Sequence, residues 1–93
     1  MIPDSFQLGA HVIKVQKDAK MKDAYGMWYE QKKLIKLAKA KPDWSEHFAL
    51  QVFWHEACHA MLEHVGRGDL SQDEHFVDGL SEALTQLALT RKD

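Results

Sequence analysis

The stretch His55-Glu56-Ala57-Cys58-His59 lies within the longest apolar part of the chain. Residues four apart share one face of a helix, so His55 and His59 can offer ring nitrogens to a single metal ion. Glu56 follows about 100° further round the helix, within reach of a water on that metal. This HExxH spacing is typical of zinc-dependent peptide hydrolysis.

The residues around this stretch predict a long, buried helix. Asp43 would be its N-cap, with Glu46 at the capping-box position, and the helix would end near Val65, just before Gly66. Apolar residues occur nearly all the way round it, at Phe48, Leu50, Val52, Phe53, Trp54, Ala57, Met61 and Leu62. Such a helix is central to its fold. Its two imidazoles and its carboxylate therefore need partners, and a bound metal is a common one.

The remainder of the chain predicts a small α+β fold. Its 93 residues, of which 45% are hydrophobic, suffice for one domain with one core, spanning residues 1–93. Three strands are expected, at residues 10–16, 24–30 and 34–38, the last two forming a hairpin with a loop of four or five residues. The fold class we expect is therefore a three-stranded antiparallel or mixed sheet packed on two main helices.

The other segments fill in this outline. Residues 1–9 are expected to be an irregular lead-in and residues 17–23 a polar connector. Gly26 indicates a bulge or a close approach of another backbone. Ser71 would open the last helix, which would run to about Thr90 with a core face of Phe76, Val77, Leu80, Ala83, Leu84 and Leu87.

A catalytic zinc takes three protein ligands, and the sequence downstream of His59 offers candidates for the third. The metzincin extension would need glycine and histidine where this chain has Leu62 and Val65. Further on, the string EHFVD places Glu74 and Asp78 one helical turn apart. Glu74 would bind the metal, and Asp78 would accept the outer N–H of a ligand histidine. Glu74 also fits a capping box opened by Ser71, and the other acidic candidates are Asp73, Asp78 and Glu82.

In its HEACH and EHFVD strings the chain resembles gluzincin-type zinc metallopeptidases. Thermolysin-like members carry Glu, then Asp three residues later, on the helix after HExxH. The minimal ImmA/IrrE-like phage and bacterial metallopeptidases share the order of a few strands, an HExxH helix and a Glu-bearing helix. The resemblance covers the order of elements over about residues 10–90. It implies a zincin-like domain in which His55, His59 and Glu74 hold one Zn²⁺.

The activity expected on this basis is peptide-bond hydrolysis of a peptide or protein substrate. Glu56 would act as the general base on a zinc-activated water, and a substrate could add as a strand beside residues 24–29. The chain has no counterpart of the downstream histidine that assists the oxyanion in larger thermolysin-like enzymes. The oxyanion donor stays open among His11, His47, His64, His75, Tyr25 and Tyr29.

Two other classes of function are consistent with the same strings. The first is a zinc-binding module of this fold that acts through protein contact, for instance on a repressor, without catalysis. The second is a carboxylate-bridged di-iron protein, since Glu56-x-x-His59 is itself an ExxH pattern. That class needs a second ExxH from another helix, which this sequence does not contain, so it would require a symmetric oligomer.

Composition bears on partners and compartment. Twelve basic and fourteen acidic residues leave a net charge of −2, and the lysines at 32, 33, 36, 39 and 41 are best interpreted as a solvated face. No nucleic-acid partner is therefore expected. The sequence lacks a signal-peptide pattern and a membrane-length apolar run, so we expect no membrane partner and a cytoplasmic location. Cys58, the single cysteine, is expected to be a small buried residue.

Overall fold

The structure, a computed structural model, describes residues 2–91. Four strands precede three helices in the order β1 (Ser5–Leu8), β2 (His11–Ala19), β3 (Gly26–Tyr29), β4 (Leu34–Ala38), α1 (Glu46–His64), α2 (Gly68–Ser71) and α3 (Glu74–Thr90). The fold is thus α+β, as expected, and its two main helices are α1 and α3, but the expectation of three strands was wrong by one.

The four strands form one mixed sheet in the order β1-β2-β4-β3. β1 pairs antiparallel with β2, β2 runs parallel to β4, and β3 pairs antiparallel with β4. The predicted hairpin of β3 and β4 is confirmed, with residues 30–33 as its connection. β3 is consequently an edge strand of the sheet, and its free side is open to another strand.

The strand that sequence reasoning missed is β1, which was expected to be an irregular lead-in. Its four residues alternate between exposed and half-buried, a pattern too short to recognise beside Pro3. β1 is stabilised by its pairing with β2. A tight turn at Gly9, where φ is +59°, joins the two strands. β2 also continues to Ala19 instead of ending at Gln16, with a register shift between those residues. Three of the seven residues of the expected polar connector, 17–19, are therefore strand.

The core lies between one face of the sheet and α1. Ile13, Val15, Ile35 and Leu37 of the sheet form one buried cluster with Leu50, Phe53 and Ala57 of α1. A second, smaller cluster joins α1 to α3 through Cys58, Leu62 and Val77. Cys58 is fully buried, as predicted, and burial raises the pKa of its thiol to about 11. α1 therefore packs on both the sheet and α3, which is why it is apolar on so many sides.

Both long helices begin later than the sequence analysis predicted. The N-cap of α1 is Ser45, whose hydroxyl accepts the Phe48 N–H, so the predicted cap at Asp43 was wrong. The N-cap of α3 is Asp73, whose carboxylate accepts the Phe76 N–H, whereas Ser71 belongs to α2. In each case the N-cap is a residue closer to the first apolar turn than the predicted one, and its backbone has the extended conformation that an N-cap requires.

The core face of α3 also differs from the prediction. Its fully buried residues are Val77, Ser81 and Thr85, a stripe of four-residue spacing that faces α1. Leu80 and Leu84 pack beside that stripe, whereas Phe76 and Leu87, both assigned to the core, are exposed. Small polar side chains face α1 here because their hydroxyls bond to carbonyls of their own helix. No helix between residues 2 and 91 combines the length and apolar character that a membrane crossing requires.

Candidate metal centre

The two histidines of HExxH lie one turn apart on α1 and share a face. Their ring centroids are 5.0 Å apart with an interplanar angle of 71°. The His55 and His59 side chains are only 23% and 15% exposed. They are therefore held in place by their surroundings and are directed towards the next helix.

That helix, α3, provides the third member of the group. The segment after α1 turns the chain back so that α3 packs against α1 through Cys58, Leu62 and Val77. This packing places Glu74, the first residue of α3, beside both rings. Its carboxylate lies 3.1 Å from His55 Nε2 through Oε2 and 3.3 Å from His59 Nε2 through Oε1.

These three side chains form a group that can hold a metal ion. Their ligand atoms all lie within 4.8 Å of one another, and no other such group occurs among residues 2–91. Around a tetrahedral zinc with metal–ligand bonds of about 2.0–2.1 Å, neighbouring ligand atoms are about 3.3 Å apart. The two distances from Glu74 to the ring nitrogens, each through a different carboxylate oxygen, are close to that separation. The group could therefore hold a metal ion, and two histidines with one carboxylate are a common catalytic zinc set.

Asp78 determines which nitrogen of His55 faces the group. Its Oδ1 lies 2.9 Å from His55 Nδ1, on the side of the ring away from Glu74. An ionised carboxylate only accepts hydrogen bonds, so a neutral His55 that donates its Nδ1–H to Asp78 has its lone pair on Nε2. The lone pair of Nε2 then points at Glu74. The structure accordingly places Asp78 against a histidine of the group, where sequence reasoning expected it.

His59 has an outer partner that sequence reasoning missed. Its Nδ1 lies 2.9 Å from the hydroxyl of Ser71 in α2. The Ser71 hydroxyl donates to Glu63 Oε2 at 3.1 Å, and the Trp28 indole N–H donates to Glu63 Oε1 at 3.0 Å. We call these three residues, Trp28, Glu63 and Ser71, the Ser71 relay. The one sequence signal for it is the four-residue spacing of His59 and Glu63, because the position of Ser71 depends on α2.

The Glu63 carboxyl in the relay is an ionised acceptor. Burial alone would raise its pKa. Hydrogen bonds with Trp28, Glu30 and Ser71 outweigh that effect and lower the pKa of this carboxyl below its usual value. Because the Ser71 proton is given to Glu63, the Ser71 oxygen can only accept from His59. His59 therefore also carries its neutral-ring proton on Nδ1 and directs its Nε2 at Glu74.

Glu56 occupies a different environment from the three residues of the group. Only 9% of it is exposed, and burial raises the pKa of its carboxyl. Positive charge on His55 or His59, when these rings are protonated, would oppose the rise. It opens into a cleft of about 300 Å³ lined by Tyr25, Gly26, Phe48, Gln51, Val52, His55, Glu56 and Asp78. We call this the Glu56 cleft.

Gly26 allows α1 and β3 to approach each other in this cleft. A Cβ at this position would lie 3.1 Å from Glu56 Cγ and 3.2 Å from Val52 Cγ1. Any larger side chain would displace Glu56 or the strand. The sequence analysis expected a bulge or a close backbone at Gly26, and the structure shows close side chains instead.

The structure also locates the other candidates for the third ligand and for the oxyanion donor. Asp73 caps α3, and Glu82 lies outside the group of possible ligands. Glu74 is not a capping-box partner of Ser71, since that hydroxyl bonds to Glu63 and His59. Among the candidate oxyanion donors, Tyr25 lines the Glu56 cleft, whereas Tyr29, His11, His47, His64 and His75 do not.

Comparison with protein-family models, with curated proteins and with solved structures gives no match for this chain. What the group can do therefore follows from its own geometry and chemistry.

Proposed function

We propose that this protein is a minimal zincin-like metallopeptidase in which His55, His59 and Glu74 hold one Zn²⁺ and Glu56 is the general base. The observation that carries the proposal is the convergence of three ligand lone pairs. When the rings are neutral and donate their Nδ1–H to Asp78 and Ser71, both Nε2 lone pairs face the Glu74 carboxylate. Acceptors that converge in this way are stabilised by positive charge between them, and the proposal assigns that charge to a metal ion rather than to protons on the rings.

The buried carboxyl of Glu56 supports the catalytic part of the proposal. Zinc supplies Lewis acidity, which lowers the pKa of a water and polarises a carbonyl. Glu56 directly follows His55 in sequence, is not one of the three residues of the group, and faces the cleft. Its raised pKa, caused by burial, brings its proton affinity closer to that of a base that works near neutral pH. It takes the proton from the attacking water and passes it to the leaving nitrogen.

The edge strand β3 supports a peptide as the substrate. The Ala38 N–H donates to the Tyr25 carbonyl at 2.8 Å, so Tyr25 forms a hydrogen-bonded pair with Ala38. In antiparallel pairing the hydrogen-bonded pairs alternate, so Gly26 and Trp28 direct their backbone groups away from β4. Gly26 also borders the Glu56 cleft. An extended peptide could add beside β3 and bring its carbonyl to Glu56.

Tyr25 is the residue we assign to oxyanion stabilisation. It is 57% exposed, so its hydroxyl is accessible from solvent. Its ring packs edge-on against Trp44 and Phe48, with centroids 5.4 and 5.3 Å away, which fixes it at one end of the Glu56 cleft. A phenol O–H at this place can donate to the oxygen that becomes negative during attack.

The experiment that tests the proposal is the variant Glu56→Gln. It should retain one zinc and close to parental stability, because the amide is nearly isosteric, whereas peptide hydrolysis should fall by about 100-fold or more. Glu46→Gln, an exposed carboxyl on the same helix, is the matched control and should change neither quantity. Zinc content and cleavage of a denatured-protein mixture are measured side by side.

Each contrary result has a separate meaning. A parent that binds zinc but cleaves nothing in the mixture would favour the non-catalytic zinc-binding module. Parental cleavage rates in Glu56→Gln would contradict its role as the base. Loss of zinc from this variant would mean that Glu56 is itself a ligand.

A further inference from the structure

We infer that the Ser71 relay positions His59 for the metal and connects this ligand to the edge strand. The inference rests on the proposed metal site and adds to it three residues that the ligand set does not include. Trp28 belongs to β3, Glu63 to α1 and Ser71 to α2, so the relay joins three elements of the fold. Ser71, Glu63 and Trp28 act through His59, and none of them touches the proposed metal.

The direction of every hydrogen bond in the relay follows from counting protons. An indole N–H only donates, and it is given to Glu63 Oε1 at 3.0 Å. The hydroxyl of Ser71 has one proton, which is given to Glu63 Oε2 at 3.1 Å. The oxygen of Ser71 must then accept the bond from His59 Nδ1 at 2.9 Å. Of the two neutral tautomers of His59, only the one with a bare Nε2 is compatible with this arrangement.

Burial makes the relay hard to replace with solvent. Ser71 is 5% exposed, and the bonds on either side of it are both partly buried. If the hydroxyl is removed, water has little access to the Nδ1–H of His59, and the ring loses the partner that selects its tautomer. Outer partners of this kind typically change metal affinity by about 10-fold to 100-fold.

The relay also gives a function to α2, which no part of the sequence analysis anticipated. This short helix ends at Ser71 and leads through Asp73 into α3, which carries Glu74. This short stretch of chain therefore carries both Ser71, the outer partner of His59, and, three residues later, Glu74, whose carboxylate lies against both histidines. The backbone N–H of Leu70 and that of Ser71 both bond to the Arg67 carbonyl, at 3.0 and 3.1 Å, which fixes the turn.

Trp28 connects the relay to the strand that lies against Glu56. Its indole bonds to Glu63 behind His59, and Gly26 of the same strand is so close to Glu56 that a Cβ there would lie 3.1 Å from Glu56 Cγ. This strand is β3, the free edge beside the Glu56 cleft. Any displacement of this strand therefore reaches both the proposed base and one proposed ligand.

The primary test is zinc affinity of Ser71→Ala, measured by competition with a chromophoric chelator. We expect binding about 10-fold to 100-fold weaker than in the parent. The matched control is Thr85→Val, which deletes a buried hydroxyl that bonds only to the Ser81 carbonyl of its own helix. This control can lose stability but should bind zinc as the parent does. Equal zinc affinity in Ser71→Ala and the parent would overturn the inference.

A second readout does not depend on metal. In zinc-free protein, nitrogen NMR distinguishes the protonated from the bare ring nitrogen of His59. The parent should carry the proton on Nδ1. Ser71→Ala removes the acceptor at Nδ1 and leaves the Glu74 carboxylate, 3.3 Å from Nε2, as the acceptor beside the ring, so the proton should move to Nε2. A parent with the proton on Nε2, or an unchanged tautomer in Ser71→Ala, would also overturn the inference, even if the parent bound no zinc and the proposed function had failed.

Trp28→Phe covers the case in which the other variants do not fold. It keeps one aromatic ring in the same place and removes the indole N–H together with the second ring. We expect zinc affinity to fall by a smaller factor, about threefold to 10-fold, because Glu63 retains its bond from Ser71. Trp44→Phe, a tryptophan outside the relay, is the control and should have no effect on zinc affinity.

Discussion

The two histidines of the candidate metal centre lie on the same helix but have different outer partners. His59 bonds to Ser71, which is 5% exposed and is itself held by Glu63. His55 bonds to Asp78, whose side chain is 66% exposed. The side of the centre around His59 is therefore built into the fold, whereas the side around His55 depends on an exposed carboxylate.

This difference shows how a small domain can hold a polar site without a large core. A buried partner cannot be replaced by water, so its loss costs the full desolvation of the group left behind. An exposed partner can be replaced by water at little cost. Glu74, at 63% exposed, is on the accessible side too. We therefore expect His59 to be fixed before metal binds and Glu74 with Asp78 to be ordered by it.

The largest difference should appear in the stability of the zinc-free protein. His59→Ala leaves the buried Ser71–Glu63 pair without its third member and should lower the free energy of unfolding by about 1–3 kcal/mol. His55→Ala leaves two exposed carboxylates in water and should lower it by less than about 1 kcal/mol. Urea unfolding of both variants and the parent, with chelator present, measures the two values.

The two substitutions remove the same side chain from neighbouring turns, so each serves as the control of the other. Both should abolish zinc binding equally. If both variants lost the same stability, or if His55→Ala lost more, the distinction between a buried side of the centre at His59 and an exposed side at His55 would be contradicted.

A smaller effect is expected for the outer partner on the exposed side. Asp78→Asn keeps an oxygen that can accept the Nδ1–H of His55, and water reaches this position. Zinc affinity should fall by no more than about 10-fold, less than for Ser71→Ala. The comparison is made in one chelator competition with both variants, and a larger loss for Asp78→Asn would reverse the proposed order.

Much of the candidate site could be predicted because helical periodicity is local. The spacing of His55 and His59, and that of Glu74 and Asp78, each lies within one helix, so their faces follow from sequence. The Ser71 relay could not be found this way. It requires the turn of α2 and the approach of β3 to α1, which are tertiary features with no periodic signal.

The fold, like the candidate site, could be predicted where the sequence pattern is local. The β3–β4 hairpin and the long helix α1 have strong local patterns, and both are present. β1 is stabilised by pairing with β2 and not by its own four residues, so its pattern is weak. The exposed Leu87 shows the converse, because an apolar residue on a helix faces the core only where another element covers it.

The most direct test of the account is the zinc content of protein purified without added metal. We predict one equivalent of zinc in the parent, none in Glu74→Ala, and one in Glu82→Ala, an exposed carboxyl on the same helix that lies outside the group. The reason is that Glu74, alone among residues 2–91, lies against the Nε2 atoms of both rings. A parent without zinc, or a Glu74→Ala variant that retains its full equivalent, would contradict the claim that these three side chains form the metal site.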